Sequence, residues 1–208
     1  MQTKQLIATL KNQTQSLIQQ AEALKNRDLY SLTWRSDPLS WNILECHEHL
    51  NRYGDFYLPQ IASKIKQSST KSEPFFKPGF LGNYFANSML PKEKPNKMKT
   101  FKDKNPLNAP LDTMVIERFL QQQQELIYLL HLSNKVSLNK VKVGTSISNL
   151  IQLKLGDAFR FYINHMIRHA KQIEKLLERM LAAAQLPPVR EDKVVSPATS
   201  GPGAKSAY

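Results

Sequence analysis

The sequence predicts an all-α fold, a four-helix bundle with a long crossover connection between its second and third helices. Three observations carry this expectation. Four segments of roughly two dozen residues repeat apolar side chains at three-, four- and seven-residue steps, the period of a helix with one buried face. Glycine is scarce, 7 in 208 residues, while apolar residues make up 41%, as suits a globular helical chain. Between the second and third of these segments lies a proline-punctuated stretch far longer than a turn, and it permits a crossover.

The first helix, about 5–25, is marked by Leu6, Leu10, Leu17, Ala21 and Leu24. Residues 27–38 form a connection. Ser40 stands where an N-cap belongs, and a second helix follows over about 41–66, its stripe holding Ile43, Cys46, Leu50, Tyr57, Ile61 and Ile65. The long connection comes next, with a short helical turn expected within 80–90. Asp112 caps a third helix ending near Leu132, with Val115, Phe119, Leu126 and Leu130 inward. Residues 135–143 alternate weakly and read as extended, without an evident partner strand. The fourth helix runs over about 156–184. Beyond it, Pro187-Pro188 and the small, polar run from Ser196 lack the apolar area that orders a chain. The expected organisation is one bundle over 1–184 and a flexible tail over 185–208.

Charge and composition narrow the function classes. The net charge is +12, which could suggest nucleic acid, but its distribution argues against that partner. Ten lysines against Glu73, Glu93 and Asp103 place seven of the twelve net charges within 62–104, beside Pro74, Pro78, Pro91 and Pro95. Such a stretch reads as a solvated loop. No apolar run approaches the ~18 residues of a membrane span, and the first residues lack the apolar core of a secretory signal. A single cysteine, Cys46, cannot form an internal disulfide and suits a reducing compartment. A cytoplasmic protein with no membrane segment is expected.

The chemistry concentrates in the fourth helix. His165 and His169 are four residues apart, which places their Cβ atoms about 6 Å apart on one face, a spacing that lets two imidazoles bind one metal ion. They sit at the edge of the stripe formed by Phe159, Tyr162, Ile163, Met166, Ala170 and Ile173, so they can face a cleft while the helix stays packed. Such pairs also occur on helices that bind nothing. A third ligand would come from another helix: the second offers His47 and His49, and the third ends at His131.

The run Trp41-Asn-Ile-Leu-Glu45-Cys-His-Glu-His49-Leu50, with the later His165-x-x-Arg168-His169-x-x-Gln172-Ile173, resembles the DinB-like superfamily, which includes the YfiT-type metal-dependent hydrolases and bacterial thiol transferases. The resemblance covers about residues 5–183. It implies a four-helix bundle with crossed connections and a divalent metal held by one histidine of the second helix and two of the fourth. The family histidine lies eight residues after the tryptophan and before a leucine, which carries over to His49; His47 falls where the family has an aliphatic residue. The helical wheel agrees, with His47 inside the apolar stripe as a buried core histidine and His49 at its edge. The implied metal ligands are therefore His49, His165 and His169. His131 reads as a cation at a helix C-terminus.

Three neutral imidazoles leave a fourth coordination position open, the pattern of a catalytic zinc site; imidazole also suits nickel, copper or iron, which sequence does not separate, and a divalent transition metal, zinc or nickel first, is the expected cofactor. An open position can activate water or hold a thiolate. Two functions follow: a metal-dependent enzyme, by resemblance a transferase using a small-molecule thiol cosubstrate or a hydrolase, and a non-catalytic bundle that binds a partner. A homodimer is compatible with either. Glu45 and Gln172 are candidates to support the ligating rings. Cys46 lies mid-stripe and reads as an inert buried thiol. No residue is assigned a catalytic role by sequence alone.

Overall fold

Helix α1 (Thr3–Lys25) opens the chain, followed by α2 (Leu29–Thr33), α3 (Ile43–Lys66), α4 (Phe80–Ser88), α5 (Met114–Leu132) and α6 (Leu155–Ala184). These elements come from a computed structural model that describes residues 1–91, 100–148 and 150–185. Among the described residues the fold is all-α but for one small hairpin, β1 (Lys142–Gly144) paired antiparallel with β2 (Gln152–Lys154), and an isolated bridge between Gln2 and Phe75. The principal contacts among the four long helices run from α1 to α5, α5 to α3, α3 to α6 and α6 back to α1. Their inward faces supply one core, with Leu10 from α1, Tyr57 and Ile61 from α3, Ile116 and Leu126 from α5, and Phe159, Tyr162 and Met166 from α6. No helix among the described residues is long and apolar enough to cross a membrane.

Local chemistry sets the boundaries, in several places differently from the expectation. The second long helix starts at Ile43, capped by Asn42 and not by Ser40. Asn42 Oδ1 accepts the Glu45 N–H (2.8 Å) and Glu45 Oε2 accepts the Asn42 N–H (2.9 Å), a reciprocal capping box that Ser40 is too early to make. The connection over 27–38 holds α2, capped by Asp28, whose carboxylate accepts the Ser31 N–H (2.8 Å). The extended reading of 135–143 shrinks to β1, and the partner strand is β2, with Val143 opposite Leu153. Both of those residues are buried, so the hairpin closes the core just before α6. The short helix expected within 80–90 is α4.

The connection between α3 and α5 matters most for the site. Its helix α4 lies on α6, held by Asp157, whose Oδ2 accepts the Gly79 N–H (2.7 Å), and by Asn164, which donates to the Ala86 carbonyl (2.9 Å). A single 3-10 turn at Lys102–Lys104 then passes alongside α3. Between α3 and α5 the packing is close enough that Gln122 donates to the Asn51 carbonyl (3.1 Å). Gly54 permits this, because a Cβ there would collide with the Gln122 amide. Residues 186–208 of the tail expected over 185–208, and the lysines at 92, 94, 97 and 99, lie outside the described residues.

Candidate metal centre

Two helices deliver the three histidines. On α3, Glu45, His49 and Tyr53 follow at four-residue steps along one face; on α6, Phe161, His165 and His169 do the same. Contact of α3 with α6 brings these faces together, so that His49 Nε2 lies 3.2 Å from His165 Nε2, and His165 Nε2 lies 3.0 Å from His169 Nε2. All three predicted positions converge, with one ligand atom from each inside a 4.8 Å cluster, and all three are buried. A histidine cluster of this kind could hold a metal ion.

The hydrogen bonds settle where the protons lie. A carbonyl oxygen only accepts, so His49 Nδ1, 2.7 Å from the Lys104 carbonyl, carries the ring's hydrogen and leaves a lone pair on Nε2. His169 Nδ1 likewise donates to Gln172 Oε1 (2.9 Å), which turns its Nε2 lone pair toward His165. His165 Nδ1 is buried without a hydrogen-bond partner among the described residues. Two lone pairs thus point at a third ring nitrogen, and one N–H from His165 cannot serve both. A cation among the three nitrogens resolves that conflict. The spacing agrees: Zn–N bonds of about 2.0–2.1 Å put tetrahedral ligand atoms about 3.3–3.4 Å apart. The residues present therefore fit a divalent transition metal.

Burial keeps the rings neutral. Desolvation is the largest cause pushing the histidines below the ordinary 6.5, His49 to about 4 and His169 to about 3, and it pushes His165 down as well. Each of the three also feels another member of the cluster or a nearby arginine, which adds to the depression. Metal ligation requires the neutral form, so lone pairs are available throughout the neutral range.

Aromatic rings wall the cluster. Trp41 lies 4.5 Å from the His49 ring and 5.8 Å from that of His169, Tyr53 lies 4.6 Å from His165, and Phe161 stacks on His165. On one side the cluster opens to a cleft of ≈ 840 Å³, whose lining includes Trp41, Tyr53, Phe101, Phe161 and Arg168. Burial raises the Tyr53 hydroxyl to about 12, so it stays protonated and can donate.

The other sequence candidates separate cleanly. His47 is a core residue: it donates from Nδ1 to the Ile43 carbonyl one turn back (2.9 Å) and packs edge-on against Phe119. Cys46 is fully buried, and burial raises its thiol pKa. His131 is exposed at the end of α5. Gln172 supports His169, as expected. Glu45 does not support His49; its carboxylate serves the α3 cap, accepts from Arg35 (3.1 Å) and accepts the Asn108 N–H (2.6 Å). The partner of His49 is instead the Lys104 carbonyl, a backbone group for which a sequence carries no signal.

Fold and site together define an all-α protein with a buried, convergent three-histidine donor set. A family model described as the DinB superfamily matches residues 5–173, and the chain belongs to that family. No curated protein and no solved structure matches the chain.

Proposed function

We propose that the protein is a metal-dependent enzyme that binds one divalent transition ion, zinc or nickel, through His49, His165 and His169. We further propose that it joins a small thiol, through its sulfur, to an electrophile whose leaving group departs. The observation that carries this reading is the convergence of three neutral imidazole nitrogens at the wall of an open cleft. Bound there, the ion supplies a Lewis acid able to keep a thiol sulfur deprotonated at neutral pH. The protein's own residues do the rest. The His49 and His169 rings are held by the Lys104 carbonyl and the Gln172 amide, so no reorganisation is needed when a ligand arrives. Trp41, Tyr53 and Phe161 pack against the histidine rings and narrow the access of water to them. At the cleft wall, the protonated Tyr53 hydroxyl is a donor and suits an anionic sulfur or a leaving anion.

The test has two parts. Metal content is measured for the wild type and for the His49→Ala, His165→Ala and His169→Ala variants; stoichiometric metal in all three variants removes the site. The metal-loaded protein is then incubated with low-molecular-weight thiols and a chloro-nitroarene, in which a carbon–sulfur bond forms as chloride leaves. Conjugation lost in His165→Ala supports the transferase. Equal rates in both proteins remove the metal from the reaction. Metal binding without conjugation for any thiol would favour hydrolysis or a non-catalytic bundle.

A further inference from the structure

The turn beside the site is gripped by α3 in a way that the donor set alone does not require. Three consecutive backbone carbonyls, those of residues 103, 104 and 105, are each hydrogen-bonded by an α3 side chain. Arg52 Nη1 donates to the outer two, Asp103 (3.3 Å) and Asn105 (3.2 Å), while His49 Nδ1 donates to the middle one, Lys104 (2.7 Å). His49 and Arg52 are three apart on the helix and so share a face. The guanidinium is itself aimed: Arg52 Nε donates to Glu48 Oε1 (2.8 Å), and the buried Glu48 carboxylate also meets Arg118. On the far side the turn is fixed by Trp41, whose indole N–H donates to Asn105 Oδ1 (3.0 Å). The same indole ring packs on His49 and His169.

We infer that Arg52 is a positioning residue for the metal centre: it holds the 103–105 turn so that the Lys104 carbonyl fixes the proton of His49 on Nδ1 and its lone pair on Nε2. The inference rests on the proposed role of His49 as a ligand, but its first consequence does not depend on any metal. A planar guanidinium donating in several directions can span two carbonyls and a carboxylate at once; an ammonium is a single point donor. Without the span, the turn loses two of its ties to α3, the Lys104 carbonyl moves off the ring, and His49 is free to adopt the other tautomer. Coupling runs both ways: a metal that needs the Nε2 lone pair also favours the docked turn.

Arg52→Gln and Arg52→Lys are compared with Arg118→Met, which loses the contacts to Glu48 and Asp55 and none to the turn. In the metal-free proteins, nitrogen NMR of the imidazoles reports the His49 tautomer, and hydrogen exchange reports the amides near 101–105. The wild type and Arg118→Met are expected to show the Nδ1–H form. Arg52→Gln is expected to show mixed tautomers and at least tenfold faster exchange in the turn, while the α3 and α6 amides keep their protection. Arg52→Lys is expected to resemble Arg52→Gln; full rescue by Lys would mean that charge alone acts and would overturn the positioning role. An unchanged tautomer in Arg52→Gln would overturn it outright. Zinc affinity, measured by competition with a chelator, is expected to fall about tenfold in Arg52→Gln, the range for groups that orient a ligand. Absence of zinc binding by the wild type would sink the metal reading and leave the tautomer result to judge the clamp by itself.

Discussion

His47 and His49 stand two residues apart on one helix and look alike by most measures. Both are 3% exposed, burial pushes both to about 4, and both donate from Nδ1 to a backbone carbonyl. They differ in where that carbonyl comes from and in what the other nitrogen meets. For His47 the acceptor is Ile43, one turn back on the same helix, and the ring lines a small apolar cavity with Phe119, Leu50 and Met166. For His49 the acceptor is 55 residues away, and Nε2 meets two more imidazoles. Burial and a lowered pKa therefore do not distinguish a core histidine from a candidate ligand. The destination of the second nitrogen does.

The largest effect expected from this contrast is in metal content. His49→Ala should abolish metal binding, and His47→Ala should keep one ion per chain, read by elemental analysis of the purified proteins. Metal lost in His47→Ala and kept in His49→Ala would invert the comparison.

Acid should act on both histidines until a metal separates them. Their folded pKa values lie below the ordinary 6.5, so the unfolded chain takes up protons first as pH falls. Stability should be intact above about pH 6.5 and decline toward pH 4, each buried histidine contributing up to about 1.4 kcal/mol per pH unit. With zinc bound, the three clustered rings stay unprotonated to lower pH while the unfolded chain still takes up protons, so stability should start higher and its decline should continue below about pH 4, with the share of His47 unchanged. Urea titrations across pH, with and without zinc, measure this; identical curves would deny the distinction.

Smaller again is the packing cost. His47→Ala should lower stability by about 2–3 kcal/mol by leaving a hole in an apolar core, or roughly 5–10 °C in melting temperature. In the metal-free protein, His49→Ala should cost less, since that ring borders an open cleft. Equal losses would place both residues in the core. The smallest expected effect is at Gln172: Gln172→Ala should weaken zinc binding about tenfold, near 1.4 kcal/mol, by leaving the His169 Nδ1–H without its acceptor. No change in affinity would show that the His169 ring is held by its aromatic neighbours alone.

Legibility in the sequence followed the range of the interaction. The four long helices were readable because their apolar periodicity is written residue by residue. The His165–His169 pair was readable because a four-residue step fixes one helix face whatever else the fold does. His49 was singled out by its place after Trp41 and at the stripe's edge, and the cluster fits that choice. What escaped depended on partners distant in sequence or on backbone. The Lys104 carbonyl has no side-chain signature, and β2 acquires meaning only by pairing with β1. Glu45 lies on the His49 face, yet its carboxylate is claimed by the Asn42 N–H that begins its own helix, by the Asn108 N–H and by Arg35. Ser40 lost the capping role because only Asn42 sits three residues before Glu45.

The 116 residues that separate His49 from His165 also impose an order in time. At synthesis rates of about 5–20 residues per second, His49 leaves the ribosome roughly 6–23 s before its α6 partners exist. During that interval the emerging chain holds one cluster histidine, and no pair that could capture an ion. The donor set is completed only by the docking of α6 onto α3, so an ion added to a refolding chain should reach its final coordination no earlier than that docking. The complete centre would then serve as a seal on a finished fold.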